Sequence, residues 1–597
     1  MAISVEQPRR YRPPHSAGTS LDTEEHGPGV AAPRALYTVL IVLVLWVLYS
    51  LLGYQTTVNA HVVVFDALDR LSRAFLVWHN DPQKLAAVGF SYPPLTTMVL
   101  LPSAIVKPVA TGLIALPVTS AFFAALTVGM LDRTMARCDM PLMLRAPLVL
   151  AFAVNPLWLF YSGNGMSEAV YSAFLAVALY FFISWYVTSE PRFLIGSGLT
   201  LAVLVLTRYG FIVWAFLLCI LIGVALARRQ ARKIEIEGSV IAFAAPVIYV
   251  LAIWILFNAL IVGDPFGWVN GATSTQAVNS AGVNELSQLD FNDVAKRLLQ
   301  LNVAVFPLAF LAVPGLVVAF VTQRNDMALW LSSFIVIGIV IMGADALIND
   351  REGLLTLRDS FPMMITAFVG AGWLYRSFVG ARLILWILTL VILVVGCYTA
   401  WMGMKDYPFQ SLEQAYTRTL FSGKSQEGTS SRGGYTVGID PESQMAAYVK
   451  QNVSGRDAVL TDNAKTFGVI LLSGQPPKYF LRVDKGDKKW KEILNDPWGK
   501  VPYIMATNSP TSGDLVTQRY PNAVTGGTPG LTPIFATDRY TMLKVAPTAP
   551  ASGSSSTSGG TSRSGTGGGA TSSGANAAGV APRSTSTTRT TTVTTAP

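Results

Sequence analysis

The stretch ALYTVLIVLVLWVLYSLLG, residues 35–53, decides the fold, because it carries no charged side chain from end to end. A helix needs about 20 consecutive apolar residues to cross the hydrocarbon core of a bilayer. Similar apolar runs recur as far as Trp401, so the sequence predicts a polytopic α-helical membrane protein. A long polar leader precedes the first run and no small-residue cleavage signal follows it closely, so we expect this helix to be retained.

The composition agrees with a membrane protein and argues against a soluble enzyme. Of the 597 residues, 51% are hydrophobic and only 13% are charged, where a soluble domain has about 25% charged residues. The net charge of +9 comes mostly from short loops between apolar runs. There basic residues act as topology signals, so nucleic-acid binding is not expected. The three cysteines, Cys138, Cys219 and Cys397, have no spacing typical of disulfide frameworks or zinc sites.

Apolar windows predict eleven crossings, at residues 35–53, 113–131, 146–162, 168–187, 193–206, 209–227, 238–262, 301–321, 327–345, 359–378 and 381–401. A further run, 93–110, contains four prolines and a lysine. Arginines mark both the leader and the 132–145 loop as cytoplasmic, so an even number of crossings separates them. We therefore expect residues 93–110 to form a re-entrant or interfacial segment on the outer side.

This count divides the chain into four parts. Residues 1–34 are predicted to be a disordered cytoplasmic leader and residues 35–401 a transmembrane domain. Residues 402–546 have the composition of a soluble domain. Predicted helices at 441–453 and 465–472 and predicted strands at 458–461, 479–483 and 501–507 indicate a small extracytoplasmic α/β domain. Residues 547–597 are almost wholly Ser, Thr, Gly, Ala and Pro, which is typical of a disordered tail.

Acidic residues gather in the first predicted outer loop, at Asp66, Asp69 and Asp81. They precede a proline-broken segment that returns toward the membrane, which favours a polar site there. The alternative is that Asp66 pairs with Arg70 and Asp69 with Arg73, as ordinary ion pairs four residues apart on a helix. The sequence leaves both interpretations open.

Two further charged residues are predicted to lie at the same membrane face. Glu168 begins an apolar helix, where an acid either complements the helix dipole or faces a polar cavity. Arg208 follows a run of only about 21 Å against a hydrocarbon core of roughly 30 Å, so we expect it below the outer surface with an anion as partner. That anion is a lipid phosphate or, alternatively, Glu168.

The outer loop NDREGLLTLRDSF, residues 349–361, supplies Arg351 and Arg358 as additional candidates for phosphate binding. The same loop carries Asp350, Glu352 and Asp359, so neighbouring ion pairs are the alternative.

Together these segments resemble the GT-C superfamily of polytopic glycosyltransferases, which use polyprenyl-phosphate sugars and include protein O-mannosyltransferases and aminoarabinose transferases. The resemblance covers roughly residues 35–400 and rests on the order of five motifs: FDALDR (65–70), GFSYPPL (89–95), GNGMSEA (163–169), LTRYG (206–210) and NALIVGDPFGW (258–268). It implies transfer of a sugar from a polyprenyl-phosphate donor to an extracytoplasmic acceptor in the cell envelope.

The resemblance implies that Asp66 is the catalytic acidic residue, which serves as base or orients the acceptor. Glu168 matches a second acidic residue near the site, and Asp69 is a rival for Asp66. The implied substrate-binding residues are Tyr92, Asn164, Arg208, Arg351 and Arg358. Ala67 follows Asp66 where the mannosyltransferases have a stricter Asp-Glu pair. The donor sugar therefore stays open. A divalent cation, Mg²⁺ or Mn²⁺, bridging Asp66 and Glu168 to phosphate is compatible with the pattern but not required by it.

The main alternative is a lipid-linked oligosaccharide flippase or a secondary transporter, in which charged residues would line a path near the membrane centre. The two halves of the predicted membrane region show no obvious repeat, and the notable acids are predicted at one face. An envelope scaffold is a further alternative, although eleven crossings exceed what an anchor needs.

Overall fold

The computed structural model describes residues 35–63, 65–89, 93–266, 290–348, 355–407, 410–429, 437–482, 487–508 and 514–549. The predicted leader and nearly all of the predicted tail lie outside these ranges. Most of the described chain is helical, and a small sheet follows the last long apolar helix. The prediction of a polytopic α-helical membrane fold with a small α/β region is confirmed.

Helices of very different lengths form the first part of the described chain. The helices are α1 Ala35–Gly53, α2 Phe65–His79, α3 Leu95–Met98, α4 Leu101–Ala104, α5 Lys107–Thr111, α6 Ala115–Arg137, α7 Leu142–Ala153, α8 Pro156–Gly163, α9 Ser167–Thr188, α10 Pro191–Val205, α11 Phe211–Arg228, α12 Lys233–Phe257, α13 Phe291–Val305, α14 Ala309–Gln323, α15 Asp326–Ile348, α16 Phe361–Ser377 and α17 Arg382–Asp406. One π-helical turn extends α1 over Tyr54–Asn59, and another extends α12 over Asn258–Val262.

Within the described ranges, seven helices are long and apolar enough to cross a membrane, or nine spans if two bent pairs each count as one. The pairs are α7 with α8, bent by 66°, and α13 with α14, bent by 96°. The sequence predicts one straight crossing at each place. The remaining two predicted crossings, 193–206 and 359–378, correspond to α10 and α16, which have only 15 and 17 residues.

The first bend has a local cause in the sequence. Asn155 separates α7 from α8, and its side chain accepts hydrogen bonds from the N–H groups of Leu157 and Trp158. Pro156 is the first residue of α8, where its missing N–H costs nothing. A hydropathy window averages over such a cap, which is why the sequence indicates an unbroken crossing.

Helix α6 lies at the centre of the bundle and packs against α1 and α9. Inside the structure, 72% of its most apolar window is buried, against 17% for α1, α12 and α17. The exposed apolar faces of those three helices are suited to contact lipid. Close approach between α1 and α8 depends on glycine, because a Cβ atom at Gly53 would lie 2.7 Å from the Cα of Gly163.

The predicted re-entrant run 93–110 forms the short helices α3, α4 and α5, of 4, 4 and 5 residues. None of them is long enough to cross a bilayer. This agrees with a broken segment on one side of the bundle, as the proline content predicts. The membrane side on which it lies stays a prediction.

The chain after α17 forms α18 Ser411–Ser422, α19 Asp440–Asn452, α20 Asn463–Ser473, α21 Pro476–Tyr479, α22 Asp487–Asn495 and α23 Leu515–Arg519, with strands β1 Val459–Thr461, β2 Phe480–Arg482, β3 Tyr503–Thr507, β4 Leu531–Ala536 and β5 Tyr540–Val545. The strand order is β2-β1-β3-β5-β4. Strand β1 is parallel to β2 and β3, whereas β5 is antiparallel to β3 and β4.

This C-terminal α/β region packs against α2. Leu76 of α2 belongs to the same buried cluster as Met445, Val449 and Ile470. The hydroxyl of Ser72 donates to the carbonyl of Phe467 at 3.1 Å. Helix α2 is therefore held between the helical bundle and the α/β region, and we call it the bridging helix below.

Candidate active site

Asp66 lies in the first turn of the bridging helix, at the end of the bundle that faces the α/β region. Its Oδ2 lies 3.4 Å from Nη1 of Arg358. The two side chains are 27% and 35% exposed, so the pair is open to solvent on one side. Asp66, predicted as a catalytic carboxylate, and Arg358, predicted as a phosphate ligand, are thus in direct contact.

Arg358 and Asp359 form one 3-10 turn, Arg358–Ser360, just before α16. The guanidinium of Arg208 donates to Asp359, which also accepts from the hydroxyl of Thr356. The carboxylate of Asp359 therefore joins the two predicted arginines in one charged cluster. The ion pair of Arg208 is with this aspartate and not with Glu168, the side-chain partner that the sequence offers as an alternative.

Tyr171 supports both arginines from α9. Its hydroxyl donates to the carbonyl oxygen of Arg358 at 3.0 Å. The guanidinium of Arg208 lies over its ring, with Cζ 5.0 Å from the ring centroid. Cation–π contacts of this kind stabilise an arginine whose other face is desolvated. Arg208 is thereby held between an aromatic face and a carboxylate.

Glu168 is fully buried in the first turn of α9. Its Oε2 accepts a long hydrogen bond of 3.4 Å from Ser167, and its Oε1 has no hydrogen-bond partner within the described part of the chain. Its charge acts on both Arg208 and Arg358. A buried carboxylate needs such cations, because removing it from water without compensation is costly.

Asn164 lies in the turn before Glu168 and is also buried. Its Oδ1 accepts from the N–H of Met166 at 3.0 Å, which fixes the amide. Its Nδ2 has no hydrogen-bond partner among the described residues. The loop GNGMSEA thus contains one acceptor atom and one donor atom whose hydrogen-bonding capacity is not used by the described protein.

Two residues of this cluster are absent from the predicted set. The hydroxyl of Tyr161, in α8, donates to the carboxyl group of Glu413, in α18. Both side chains are buried, and the charge of Glu413 lies close enough to interact with Glu168 and Arg358. The sequence gives little indication of a site role for either residue. Tyr161 is typical of an aromatic residue at a membrane interface, and Glu413 lies in a polar helix after the last crossing.

Burial raises the pKa of the Glu413 carboxyl, and the hydrogen bond from Tyr161 opposes that rise. A carboxyl whose folded pKa lies above its unfolded value of 4.5 stabilises the fold below that pH, and the stabilisation is lost as the pH rises through the folded pKa. We expect Glu413→Gln to remove this loss, because the amide oxygen still accepts from Tyr161 and does not titrate.

The pH dependence of stability in wild type and in Glu413→Gln is measured by thermal unfolding of the detergent-solubilised proteins at about pH 5 and about pH 7. The wild-type midpoint should fall more than that of Glu413→Gln between the two values. Equal shifts in both proteins would show that Glu413 does not titrate differently in the folded state.

The other predicted acids of the first loop are in ion pairs. Oδ2 of Asp69 lies 2.9 Å from Nε of Arg73, four residues on, as expected for the simple helix-face pair. Asp81 pairs with Arg456 of the α/β region at 2.9 Å, and both side chains are exposed. Of the three acids, Asp66 is the one that contacts the arginine cluster in the described structure.

Two predicted substrate-binding residues, Tyr92 and Arg351, lie outside the described residues, as do Asp350 and Glu352. The remaining predicted residues Asp66, Asn164, Glu168, Arg208 and Arg358 all lie at one end of the bundle, between the bridging helix and the starts of α9, α11 and α16.

A small apolar cavity lies among α9, α10, α11, α15 and α16, next to the segments that carry the two arginines. Phe211 and Pro362 line it, three and four residues after Arg208 and Arg358 respectively. Its remaining lining is almost entirely apolar, and includes Leu179, Phe182, Trp214, Leu218 and Phe334. A charged cluster and an apolar space thus adjoin each other.

The α/β region holds both ends of the bridging helix. Cζ of Arg539 lies 4.6 Å from the ring centroid of Phe65, the residue before Asp66. At the other end, the buried Arg482 donates to Oδ1 of Asn80 at 2.7 Å. The position of Asp66 therefore depends on residues more than 400 positions later in the chain.

In the described residues one group of three side chains has ligand atoms close enough to share a metal ion: His61, Glu427 and Asp440. This group does not include Asp66 or Glu168, for which a bridging cation stays a prediction.

Comparison with known proteins adds little to this geometry. No protein-family model matches the chain, and no curated protein matches it. Among solved structures it is similar to ArnT from Cupriavidus metallidurans bound to undecaprenyl phosphate, with 12% sequence identity and a TM-score of 0.39. The match covers 86% of this chain and 98% of that one. A similarity at this level assigns neither family nor function.

Proposed function

We propose that this protein is an integral membrane glycosyltransferase that transfers a sugar from a polyprenyl-phosphate-linked donor to an extracytoplasmic acceptor of the cell envelope. The observation that carries the proposal is the contact between Asp66 and Arg358 beside the Arg208–Asp359 pair. It combines a solvent-accessible carboxylate with two positively charged side chains at one end of a membrane bundle.

The carboxylate supports acceptor activation. An acceptor hydroxyl must lose a proton as its oxygen attacks the anomeric carbon, and a carboxylate within hydrogen-bond reach can take that proton. Asp66 is partly exposed and lies at the start of a helix that is fixed at both ends. These properties suit a general base that must hold one orientation toward substrate.

The arginines support binding of the donor phosphate. The bond between the anomeric carbon and the phosphate oxygen breaks, and negative charge develops on the departing polyprenyl phosphate. Guanidinium groups suit this task because they form paired hydrogen bonds with phosphate oxygens. Phosphate binding to Arg358 would also release Asp66 from its ion pair, so donor binding would free the base for the reaction.

The apolar cavity supports a lipid-linked donor. A polyprenyl chain attached to the phosphate needs an apolar path that begins near the arginines, and Phe211 and Pro362 line such a space next to both. A soluble sugar nucleotide would gain nothing from this space.

The proposal is tested with full-length protein reconstituted in lipid vesicles that contain polyprenyl-phosphate donors labelled in the sugar. Envelope extract supplies the acceptor. We expect label to move from the lipid fraction to the acceptor with wild-type protein, and not with Asp66→Asn. Movement of the labelled lipid between leaflets without sugar transfer would instead support a flippase and overturn the proposal.

Arg208→Ala should weaken use of the donor more than it slows transfer at saturation, because the side chain is proposed to bind phosphate in the ground state as well. Hydrogen bonds to a charged group contribute about 1.5–3 kcal/mol, so we expect the KM for donor to rise by about 10-fold to 100-fold. Initial rates at a series of donor concentrations measure it.

Arg192→Ala is the matched control for this variant. Arg192 lies in α10, close to Arg208 in the chain, and its side chain is 74% exposed beside Glu190. Its loss should leave the KM for donor unchanged. An unchanged KM in Arg208→Ala as well would exclude phosphate recognition by Arg208.

A further inference from the structure

We propose that His61, Glu427 and Asp440 form a binding site for a divalent transition-metal ion of the zinc class, outside the candidate active site. The three residues come from distant parts of the chain: the segment after α1, a turn after α18 and the first residue of α19. Their ligand atoms all lie within 4.8 Å of one another.

The distances between ligand atoms are close to those of a coordination sphere. Nδ1 of His61 lies 2.8 Å from Oε1 of Glu427 and 3.8 Å from Oδ1 of Asp440. Zinc binds His nitrogen and carboxylate oxygen at about 2.0–2.2 Å, which places tetrahedral ligands roughly 3.3–3.6 Å apart. Shifts of less than about 1 Å in side-chain position would bring the three atoms onto one ion.

The backbone around Glu427 orients its carboxylate toward the other two residues. Oε1 accepts from the N–H of Ile439 at 3.0 Å, and Oε2 accepts from the N–H of Asp440 at 3.4 Å. Gly438 allows the backbone to approach the Glu427 carboxylate this closely, because a Cβ atom at position 438 would lie 1.5 Å from Oε2 of Glu427. Hydrogen bonds of this kind hold a ligating carboxylate in place and raise metal affinity.

The choice of residues favours a particular class of ion. A neutral imidazole and two carboxylates carry a net charge of −2, which a divalent cation neutralises. Imidazole nitrogen favours zinc-like ions over Mg²⁺ and Ca²⁺, which prefer all-oxygen ligands. Three protein ligands leave a fourth position for water. The competing explanation is that protonated His61 simply pairs with Glu427, with no ion bound.

An ion at this position would join three segments near the start of the bridging helix. His61 lies just before that helix, and Ser425 in the Glu427 turn already donates to the carbonyl of Ala60 at 3.4 Å. Asp440 is the first residue of α19. Two residues later, Glu442 pairs with Arg539, whose guanidinium lies over the ring of Phe65. The ion would thus fix the α/β region against the chain that leads into α2.

The experiment uses full-length protein purified in detergent without an affinity tag that binds metal. Metal content is measured by mass spectrometry after dialysis against trace zinc, and zinc affinity by competition with a chromophoric chelator. We expect about one zinc ion per chain, as the three ligands imply. The variants His61→Ala and Glu427→Gln should weaken zinc binding by at least about 100-fold.

Controls separate this site from adventitious binding. His79→Ala removes a histidine that contacts the carbonyl of Ala104 instead, and it should leave zinc affinity unchanged. The remaining histidines, His15 and His26, lie outside the described residues. The double variant His15→Ala with His26→Ala tests whether the leader binds zinc. The proposal is overturned if zinc content follows these two residues, or if wild type and His61→Ala bind zinc equally.

A second readout does not depend on catalysis. Zinc should raise the thermal unfolding midpoint of wild-type protein, since an ion that binds only the folded state stabilises it. The same addition should leave the midpoint of His61→Ala unchanged, and Mg²⁺ should leave both unchanged. A zinc effect of equal size in both proteins would contradict the assignment.

Discussion

Asp66→Asn is expected to lower the rate of sugar transfer by about 10²-fold to 10⁴-fold, the range typical of a lost general base. The amide has the size of the carboxylate and can still accept a hydrogen bond from Arg358, but it cannot take a proton from the acceptor hydroxyl. The KM for donor should not rise, because both arginines remain and the charge of Asp66 no longer competes with phosphate for Arg358. Single-turnover transfer with labelled donor separates the two effects.

Asp69→Asn makes the same chemical change one helical turn away and is the matched comparison. Asp69 is the rival that the sequence leaves open, and the structure places it in an ion pair with Arg73. We expect this variant to transfer sugar at close to the wild-type rate. If Asp69→Asn loses transfer and Asp66→Asn keeps it, the roles assigned to the two acids must be exchanged.

The helical bundle was largely predictable because hydrophobic thickness imposes the same length on every crossing. Hydropathy does not record where a helix bends. Asn155 caps a new helix within one predicted crossing, and Pro307 lies in the break of the other bent pair. Breaks of this kind depend on one or two residues, so the structure has fewer long straight helices than the eleven apolar windows suggest.

The candidate site was predictable in part. The predicted depth of Arg208 calls for an anionic partner, but the sequence does not indicate Asp359, which lies 151 positions away and pairs with it in the structure. Asp66 and Arg358 were each proposed from their own loops, and their contact across 292 positions is a property of the folded bundle. Sequence periodicity is local, so it indicates which face a residue occupies and not which distant residue it meets.

The α/β region was also predictable only in part from local sequence patterns. Short apolar segments predict strands near β1, β2 and β3, whereas β4 contains Pro533, which argues against a strand by pattern alone. Pro533 is tolerated because β4 is an edge strand with an irregular register beside it. Nothing in the sequence indicates that Arg539 and Arg482 reach the two ends of the bridging helix.

Arg358→Ala is expected to have the second largest effect, a loss of about 10²-fold to 10³-fold in the transfer rate. Arg358 contacts Asp66 directly, and its charge also acts on Glu168 and Asp359. Its removal takes away the cation best placed for the departing phosphate and leaves three carboxylates with less compensation. Arg358→Lys keeps the charge but not the paired hydrogen bonds, so we expect an intermediate rate.

Loss of folding must be separated from loss of chemistry in this variant, because removing Arg358 leaves the neighbouring carboxylates Asp66, Glu168 and Asp359 with less compensation. Thermal unfolding of Arg358→Ala and Arg358→Lys gives that comparison, with Arg456→Ala, an exposed arginine paired with Asp81, as the control. If Arg358→Lys unfolds at the wild-type temperature and still transfers more slowly, the guanidinium acts in the reaction. If both variants transfer sugar at the wild-type rate, charge at Arg358 is not required, and the phosphate must be stabilised by Arg208 or by residues outside this cluster.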